Sequence, residues 1–192
     1  DSKDFQFFFL DLATGQQIIQ NLESVDIWGF DLDFRALVND QISVFGGAGY
    51  TDTEIKKIGS PALQAGLTAA GVNIDNVIGS RTPKTTDWSA NLGVQGEFAV
   101  SDTMNVVLRA DYEYRGNKYW QIDNQDVQGA FHLLDLRATL TNSIWAITAY
   151  AENVTDERYY TDFNPGEFLG LAIDLGYPSR PRVFGFEASY RF

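Results

Sequence analysis

The clearest pattern in the chain is a strict alternation of apolar and polar residues from Trp88 to Val100. The alternation is about twice as long as an ordinary globular strand, which averages about five or six residues. Similar alternating segments begin at Trp28, Met104, Leu134 and Phe184. Strands of this length with one apolar face indicate membrane-crossing β-strands, which need about 9 to 11 residues each.

The pattern predicts an all-β, antiparallel transmembrane β-barrel wall of about eight strands. The predicted strands cover roughly 4–10, 25–38, 41–54, 87–100, 103–117, 130–141, 144–154 and 181–192. Tight turns of the Asn, Asp and Ser type lie at 39–40, 101–102 and 142–143, and long links lie at about 55–86, 118–129 and 155–180. Short turns at one end and long loops at the other are typical of such barrels, whose long loops face outward from the cell. A short loop helix is expected at Pro61 to Gly71.

The two faces of the predicted strands differ in chemistry. One is apolar and would meet lipid at positions such as Leu92, whereas the other is charged. The charged rows contain Asp31, Asp33, Arg35, Arg109, Asp111 and Glu113. Aromatic residues fall at the strand ends in two groups. The group beside the long loops is Trp28, Tyr50, Trp88, Tyr112 and Tyr114, and the group beside the short turns is Phe98, Trp145, Tyr190 and Phe192. At about 3.3 Å per residue and a tilt of about 40°, the groups are about 25 Å apart, which matches two interfacial belts.

Composition narrows the possible functions. The 14 Phe, 9 Tyr, 4 Trp and 17 Gly favour strands, and a net charge of −12 disfavours nucleic acid as a partner. With no Cys and one histidine, His132, the chain offers no metal site that needs thiolates or two imidazoles. His132 is expected on the lipid side near a strand end. No catalytic set of side chains can be assembled, so we expect no enzyme and no cofactor. The glycines at 46, 47 and 49 indicate close approach of the backbone rather than a phosphate loop.

The end of the chain carries a recognisable pattern. The segment Ala151-Glu-Asn-Val-Thr-Asp-Glu-Arg-Tyr-Tyr160, followed by Gly176-Tyr-Pro-Ser-Arg-Pro-Arg and a final strand ending Tyr190-Arg-Phe192, resembles the closing segment of TonB-dependent receptors. The resemblance implies that residues 1–192 are the C-terminal segment of such a barrel, about the last eight of 22 strands, without the plug domain and TonB box. It implies an outer-membrane protein for energised uptake of a scarce ligand, most simply a ferric siderophore. The implied partners are outer-membrane lipid, the plug domain, the remaining barrel strands, and the TonB complex through the missing N-terminal part.

Aromatic residues in the long loops are the candidate ligand contacts. They are Tyr119, Trp120, Tyr159, Tyr160, Phe163 and Phe168. An equally weighted alternative is that these rings pack loop on loop. Tyr190 and Phe192 are the candidate C-terminal assembly signal. Acidic residues in the last loop offer oxygen ligands for a hard cation, although solvated loop charges explain them more simply. These acids are Asp156, Glu157, Asp162 and Glu167.

Three other readings remain beside the receptor. A self-contained eight-stranded outer-membrane barrel acting as an anchor or adhesin is permitted, because eight is an even strand number. A soluble lipocalin-like binder predicts apolar inward residues, which the charged rows oppose. A soluble β-sandwich predicts shorter strands and gives no reason for belts of aromatic residues at the strand ends.

Overall fold

The frame of the computed structural model, which describes residues 2–11 and 16–192, is one eight-stranded antiparallel sheet. Its strands are β1 (Ser2–Asp11), β2 (Gln16–Leu37), β3 (Ile42–Lys57), β4 (Trp88–Ser101), β5 (Met104–Arg115), β8 (Phe131–Thr141), β9 (Trp145–Glu152) and β12 (Val183–Tyr190). They lie side by side in that order, each paired with the next along the chain, and β1 and β12 form the two edges. The sheet is therefore an open wall and not a closed barrel.

The long loops carry the remaining elements. Two short strand pairs, β6 (Lys118–Tyr119) with β7 (Val127–Gln128) and β10 (Tyr160–Asn164) with β11 (Leu175–Pro178), form separate two-stranded ribbons. The α-helices are α1 (Pro61–Ala69) and the four-residue α2 (Gly166–Leu169), and a 3₁₀ helix covers Ile74–Asn76. The predicted loop helix is confirmed as α1, where the Ser60 side chain accepts a hydrogen bond from the backbone N–H of Leu63 at 3.2 Å. In the described part of the chain, no helix is long and apolar enough to cross a membrane.

All eight predicted strands are present, and most of their bounds agree within a few residues. The start of β2 was wrong, because the strand begins at Gln16 rather than near residue 25. A register shift between Ser24 and Val25 interrupts the pairing with β3. Leu22 and Val25, three residues apart, are both fully buried, so strict alternation cannot hold across this point. A two-residue period therefore missed the first part of the strand.

The short turns are built by the predicted side chains. The Asn39 carboxamide oxygen accepts hydrogen bonds from the backbone N–H groups two and three residues further on, at 2.9 and 2.8 Å. Asn142 repeats this arrangement, with both distances at 2.8 Å. These Asx turns satisfy backbone donors locally and fix the register of the two hairpins.

The register confirms the two faces. Phe30, Tyr50 and Trp88 lie opposite one another on β2, β3 and β4, with ring centroids 6.2 Å apart for the first pair and 4.7 Å for the second. His132 lies near the start of β8 on the same face, opposite Tyr114 and with its ring 6.2 Å from that of Tyr112, as predicted for a strand end on the apolar face. Leu92 projects from this face and is 44% exposed. The apolar side of the wall is thus uncovered by protein in the described chain.

The main buried cluster lies at the long-loop end of the sheet and not within the wall. It consists of Leu22, Val25, Ile55, Ile58, Leu63, Leu67, Val72, Val77 and Ile122. These side chains come from the upper parts of β2 and β3, from α1 and from two loops. The hydrophobic effect therefore holds the long loops after β3 and β5 as a packed layer on top of the wall.

Candidate functional site

The three long loops, residues 58–87, 116–130 and 153–182, form what we call the loop cap. The first two are joined by reciprocal hydrogen bonds: the Arg81 backbone N–H donates to the Asn124 carboxamide oxygen at 2.7 Å, and the Asn124 amide donates to the Arg81 carbonyl at 2.9 Å. The Ser80 hydroxyl also donates to the Ile122 carbonyl at 2.7 Å. Asn124 has φ of 58°, a conformation that Asn tolerates better than most residues. These bonds fasten the first two loops into one unit.

The third loop is attached to this unit by an ion pair. The Lys84 ammonium lies 2.7 Å from the Asp162 carboxylate. Burial acts to raise the pKa of Asp162, but Lys84 and the Phe163 backbone N–H outweigh it, so the pKa lies below its ordinary value. Both side chains are about half exposed, so the pair fixes the position of the third loop but adds little to the free energy of unfolding.

Trp120 is the buried end of a chain of aromatic contacts in the loop cap. It is only 3% exposed, and its ring lies 6.1 Å from the Phe163 ring. The Lys118 ammonium sits 4.1 Å from the Trp120 ring centroid, within the range of a cation–π interaction. Burial lowers the pKa of Lys118. Trp120 thus acts as a packed support between the second and third loops.

Tyr159 and Tyr160 take different roles although they are adjacent. Tyr159 stacks on Phe131 with ring centroids 4.0 Å apart and an angle of 9° between the planes, and burial raises its pKa. Tyr160 is 44% exposed and touches Phe163 at 5.5 Å. One ring of this pair is therefore packed against the wall, and the other faces outward.

The structure brings three of the six predicted aromatic residues together. Trp120, Phe163 and Tyr160 form a continuous chain of ring contacts, whereas Tyr159 belongs to the separate stack on Phe131. Tyr119 is half-buried in β6. Phe168 falls in α2, and its side chain lies outside the described residues. Packing of loop on loop describes Trp120, and packing of loop on wall describes Tyr159. Tyr160 retains the open ring face that a ligand contact needs.

The acidic residues of the loop cap have separate surroundings. Asp156 accepts hydrogen bonds from the Arg182 backbone N–H at 2.9 Å and from the Arg158 guanidinium at 3.2 Å, and both lower its pKa. Burial raises the pKa of Glu167, and the charges of Asp123 and Asp126 add to the effect. Within residues 2–11 and 16–192, no group of three or more His, Cys, Asp or Glu is arranged to hold a metal ion.

Asn153 ties the third loop to the wall within the recognised Ala151 to Tyr160 segment. Its side-chain amide donates to the carbonyls of Glu157 at 3.0 Å and Arg180 at 3.2 Å, and its carboxamide oxygen accepts the Glu157 N–H at 2.8 Å. Its backbone N–H donates to the Asp135 carboxylate at 2.7 Å. Asn153 is 7% exposed with φ of 50°. The pattern seen in the sequence is thus the joint between β9 and the loop cap.

The second face of the wall, which we call the charged face, is rich in ionisable groups. Its acidic residues are Asp31, Asp33, Glu97, Asp111, Glu113, Asp135, Glu152 and Glu187, and its arginines are Arg35, Arg109, Arg115 and Arg137. The charged rows predicted from the alternation are confirmed by this register. Acids outnumber arginines here, so the face as a whole repels polyanions.

Arg109 is fully engaged on the charged face. Its guanidinium makes two hydrogen bonds to Asp111, at 2.7 and 2.8 Å, and lies 4.9 Å from the Phe45 ring centroid. A bidentate pair of this kind fixes the guanidinium plane. The Phe45 ring lies over Gly93 and fills the space that a side chain at position 93 would need.

Glycines make similar room elsewhere on this face. Added side chains at Gly47 and Gly49 would collide with the carboxylates of Asp33 and Asp31, respectively. At Gly185 the Tyr150 ring occupies the corresponding space. The expected close approach of the backbone is found at Gly46, where the Asn91 carbonyl oxygen is the nearest atom. At Gly47 and Gly49 the nearest groups are instead carboxylate side chains of the neighbouring strand.

The fold is a segment of an antiparallel β-barrel wall with an apolar face, a charged face and a cap of long loops. The family described as "TonB dependent receptor-like, beta-barrel" matches residues 1–154, so the chain belongs to that family. The family is one of outer-membrane β-barrels. No match was found among curated proteins.

Solved structures share the fold. The chain superposes on the ferric yersiniabactin uptake receptor FyuA from Yersinia pestis with a TM-score of 0.73 and 18% identity, covering 89% of this chain and 24% of that one. The siderophore receptor PiuA from Acinetobacter baumannii matches with a TM-score of 0.65 and 20% identity, covering 88% of this chain and 22% of PiuA. The copper transporter OprC matches with a TM-score of 0.68 and 13% identity, covering 99% of this chain and 27% of OprC. The chain thus spans about a quarter of the length of these proteins.

Proposed function

We propose that the chain is the C-terminal barrel portion of an outer-membrane TonB-dependent receptor that takes up a ferric siderophore or a similar iron complex. The family membership of residues 1–154 carries the proposal. The names of FyuA and PiuA, which describe siderophore uptake and siderophore reception, favour an iron complex as cargo. OprC is described as a copper transporter, so copper is the competing cargo of the experiment below.

The partners follow from this proposal. The apolar face meets outer-membrane lipid, and the edges β1 and β12 pair with the remaining barrel strands. The charged face meets the plug domain, and the TonB complex acts through the N-terminal part of the complete receptor. Tyr190, the last paired residue of β12, and Phe192, two residues beyond it, have rings 5.3 Å apart and remain our proposed assembly signal.

The loop cap is the proposed place of first ligand contact, with Tyr160 as its leading residue. Its outward ring is held by Phe163 and by the Trp120 support beneath it, so an arriving ligand meets a pre-positioned aromatic surface. Tyr119, Tyr159 and Phe168 belong to the same proposed region.

A direct test is uptake by cells that carry or lack the complete receptor, supplied in parallel with radiolabelled iron in siderophore complexes and with radiolabelled copper. Receptor-dependent uptake of iron that requires both the siderophore and an energised TonB system would support the proposal. Receptor-dependent uptake of copper alone would replace iron by copper. A receptor without effect on either would refute the cargo class.

The self-contained eight-stranded barrel has less support. In the described chain the pairing runs from β1 to β12 without a bond between these two edges. Closure of an eight-stranded barrel needs that bond.

A further inference from the structure

A groove crosses the apolar face of the wall between β4 and β12. It follows two neighbouring rows of paired residues, one from Val94 to Phe184 and the next from Gly96 to Phe186. Its volume is about 630 Å³. The residues with the smallest side chains along it are Gly96, Ala110, Ala138, Ala149 and Ala151. The apolar face is therefore indented at this place and not evenly convex.

Large apolar side chains border the groove. Phe98 and Leu108 line it on β4 and β5, and Phe184 and Phe186 line it on β12. The two β12 rings are 69% and 83% exposed, so they stand out from the wall. A hydrocarbon chain in such a groove is contacted from below and from both sides, and it gains more dispersion contacts than on a flat surface. The groove thus suits one extended acyl chain.

Arg182 places a positive charge at the β12 end of the groove. Its guanidinium carbon lies 5.7 Å from the centroid of the Phe184 ring, which borders the groove. Its Nη1 atom also donates a hydrogen bond to the Val154 carbonyl at 3.1 Å. These two contacts hold the guanidinium directly above the groove.

The position of Arg182 along its strand gives its level in the membrane. Arg182 is ten residues before Phe192 on the same face, and the same spacing separates Trp88 from Phe98. Because Phe98 and Phe192 belong to the lower aromatic group, Arg182 lies at about the level of the upper one. A cation at this level meets the head groups of the outer leaflet.

The groove descends from this level into the hydrocarbon. On β12 its first residue, Phe184, lies two residues below Arg182, about 5 Å after allowing for tilt. On β4 its last listed small residue, Gly96, lies eight residues below Trp88, about 20 Å by the same conversion. The hydrocarbon core is about 30 Å thick, so the groove runs through the outer leaflet to just past its midplane. An acyl chain whose head group lies at Arg182 would follow this path.

The charges around Arg182 favour an anionic head group. Two further exposed arginines, Arg158 and Arg180, lie at the base of the third loop, beside the acids Asp156 and Glu157. Asp156 is already engaged by the Arg158 guanidinium at 3.2 Å and by the Arg182 backbone N–H at 2.9 Å. Three arginines against two acids give this base a positive charge, although the chain as a whole carries −12. An anion is therefore attracted here and repelled elsewhere.

We propose that the groove binds one acyl chain, and Arg182 one phosphate, of the phosphorylated glycolipid that forms the outer leaflet of Gram-negative outer membranes. The proposal rests on the outer-membrane location in the proposed function and is independent of the cargo. A guanidinium can give two parallel hydrogen bonds to a phosphate. Joint contact with phosphate and chain distinguishes this bound lipid from the lipid that surrounds the rest of the barrel.

The experiment titrates the complete receptor, stripped of lipid in mild detergent, with lipid A, the membrane anchor of that glycolipid. Native mass spectrometry counts the lipids bound. Arg182→Gln is expected to weaken the tightest binding event by about tenfold, as for one charge-assisted contact. Ala138→Leu with Ala149→Leu should also weaken it by about tenfold, because the new side chains displace several methylene groups of the acyl chain. A shift in gel mobility on heating reports whether each barrel is folded.

Two matched controls lie outside the groove. Ala188→Leu adds the same side chain on the exposed apolar face of β12, and Lys56→Gln removes an exposed cation that is paired with Glu54. Both should bind lipid A within about twofold of wild type. Wild-type affinity in either Arg182→Gln or the double leucine variant would overturn the proposal. Equal losses in the controls would also overturn it, because they would indicate general adsorption of lipid.

Altered lipids test the chemistry of the occupant. Lipid A without its phosphates should bind the wild-type receptor about tenfold more weakly, and Arg182→Gln should not weaken it further. Equal affinity for phosphatidylglycerol and lipid A would assign the groove to anionic lipids in general and overturn the glycolipid. A receptor dimer that lipid A does not dissociate would assign the groove to a second copy and also overturn the proposal. Uptake by the wild-type receptor tests the cargo separately, so the two proposals can fail independently.

Discussion

The Asn153 side-chain amide donates to the Arg180 carbonyl across 27 positions of sequence, at 3.2 Å, and so holds the two ends of the third loop together. Nearby, the Arg182 backbone N–H donates to the Asp156 carboxylate at 2.9 Å. The loop that contains Tyr160 therefore rises from a closed base. Such a base lets a long loop keep a defined position at modest entropic cost.

Asn153→Ala is expected to loosen this base. It leaves the Glu157 N–H and two carbonyls without their side-chain partner and places Ala at a positive φ, so we expect a loss of about 1 to 3 kcal/mol in the free energy of unfolding. Denaturant unfolding of the intact protein measures this, and limited proteolysis reports cleavage between residues 155 and 180. Asn153→Asp keeps the acceptor for Glu157 and should lose less. Asn91→Ala on the exposed charged face is the control. If Asn153→Ala is no more sensitive than this control to denaturant and protease, Asn153 does not hold the base of the third loop.

The positions of most strands could be predicted from the sequence, but the contacts within the loop cap could not. Alternation located five of the eight strands directly, because each of these has one apolar face, and Asn39 and Asn142 marked two of the short turns. The early start of β2 could not be found, since the shift at Ser24 and Val25 breaks the period. In the loop cap, sequence identified the aromatic residues but not which ring is buried. That choice depends on contacts between distant loops, such as Trp120 with Phe163.

Arg137 illustrates a second limit of sequence. Its equivalence to Arg109 can be read from the alternation, but only the structure shows that Asp135 accepts the backbone N–H of Asn153, beyond the next turn of the chain, and makes no ion pair with Arg137. The signal available beforehand was the pairing of an arginine and an acid two residues apart on neighbouring strands. Only the register shows that these pairs lie side by side.

Gly93→Ala tests the close packing of the charged face. A methyl group there would overlap the Phe45 ring and displace it from the Arg109 guanidinium. We expect a loss of about 1 to 3 kcal/mol in unfolding free energy, which is typical of overpacking. Gly129→Ala is the control, because nothing lies within 4 Å of its added methyl group, and it should change stability by no more than about 0.5 kcal/mol. Equal effects of the two substitutions would contradict the packing described for Phe45.

Leu92→Arg tests the orientation of the wall. Leu92 lies four residues below Trp88 on β4, about 10 Å below the upper aromatic row after allowing for tilt, so the new charge would fall near the bilayer centre. The expected loss is about 2 to 4 kcal/mol, measured as unfolding free energy of the complete receptor in lipid vesicles. Asn91→Arg places the same charge on the charged face opposite Glu113 and should be tolerated. A greater loss from Asn91→Arg would reverse the assignment of the faces.

Acidification should release the third loop through Asp162. The pKa of this carboxyl is lowered in the folded protein, so its contribution to stability is present above the ordinary value of 3.8 and is lost as pH falls towards the lower folded value. Hydrogen exchange in residues 160–178 should therefore lose protection below about pH 4, after correction for the intrinsic rate. Because the ion pair with Lys84 is half exposed, the effect should not exceed about 1 kcal/mol. Lys84→Met should weaken the pH dependence, and an unaltered profile would show that other carboxyl groups control the loop.

Tyr160→Ala and Trp120→Ala should separate ligand contact from support. The Tyr160 ring is 44% exposed, so its removal should leave the unfolding free energy nearly unchanged while weakening ligand binding by about tenfold, as expected for one aromatic anchor. Trp120 is 3% exposed and supports Phe163, so its removal should cost about 3 to 5 kcal/mol in stability and weaken binding indirectly. Calorimetric titration of the complete receptor with the transported iron complex, alongside denaturant unfolding, measures both quantities. Normal affinity in a folded Tyr160→Ala receptor would move the ligand contact away from this ring, because the Trp120 support would then hold a surface that the ligand does not touch.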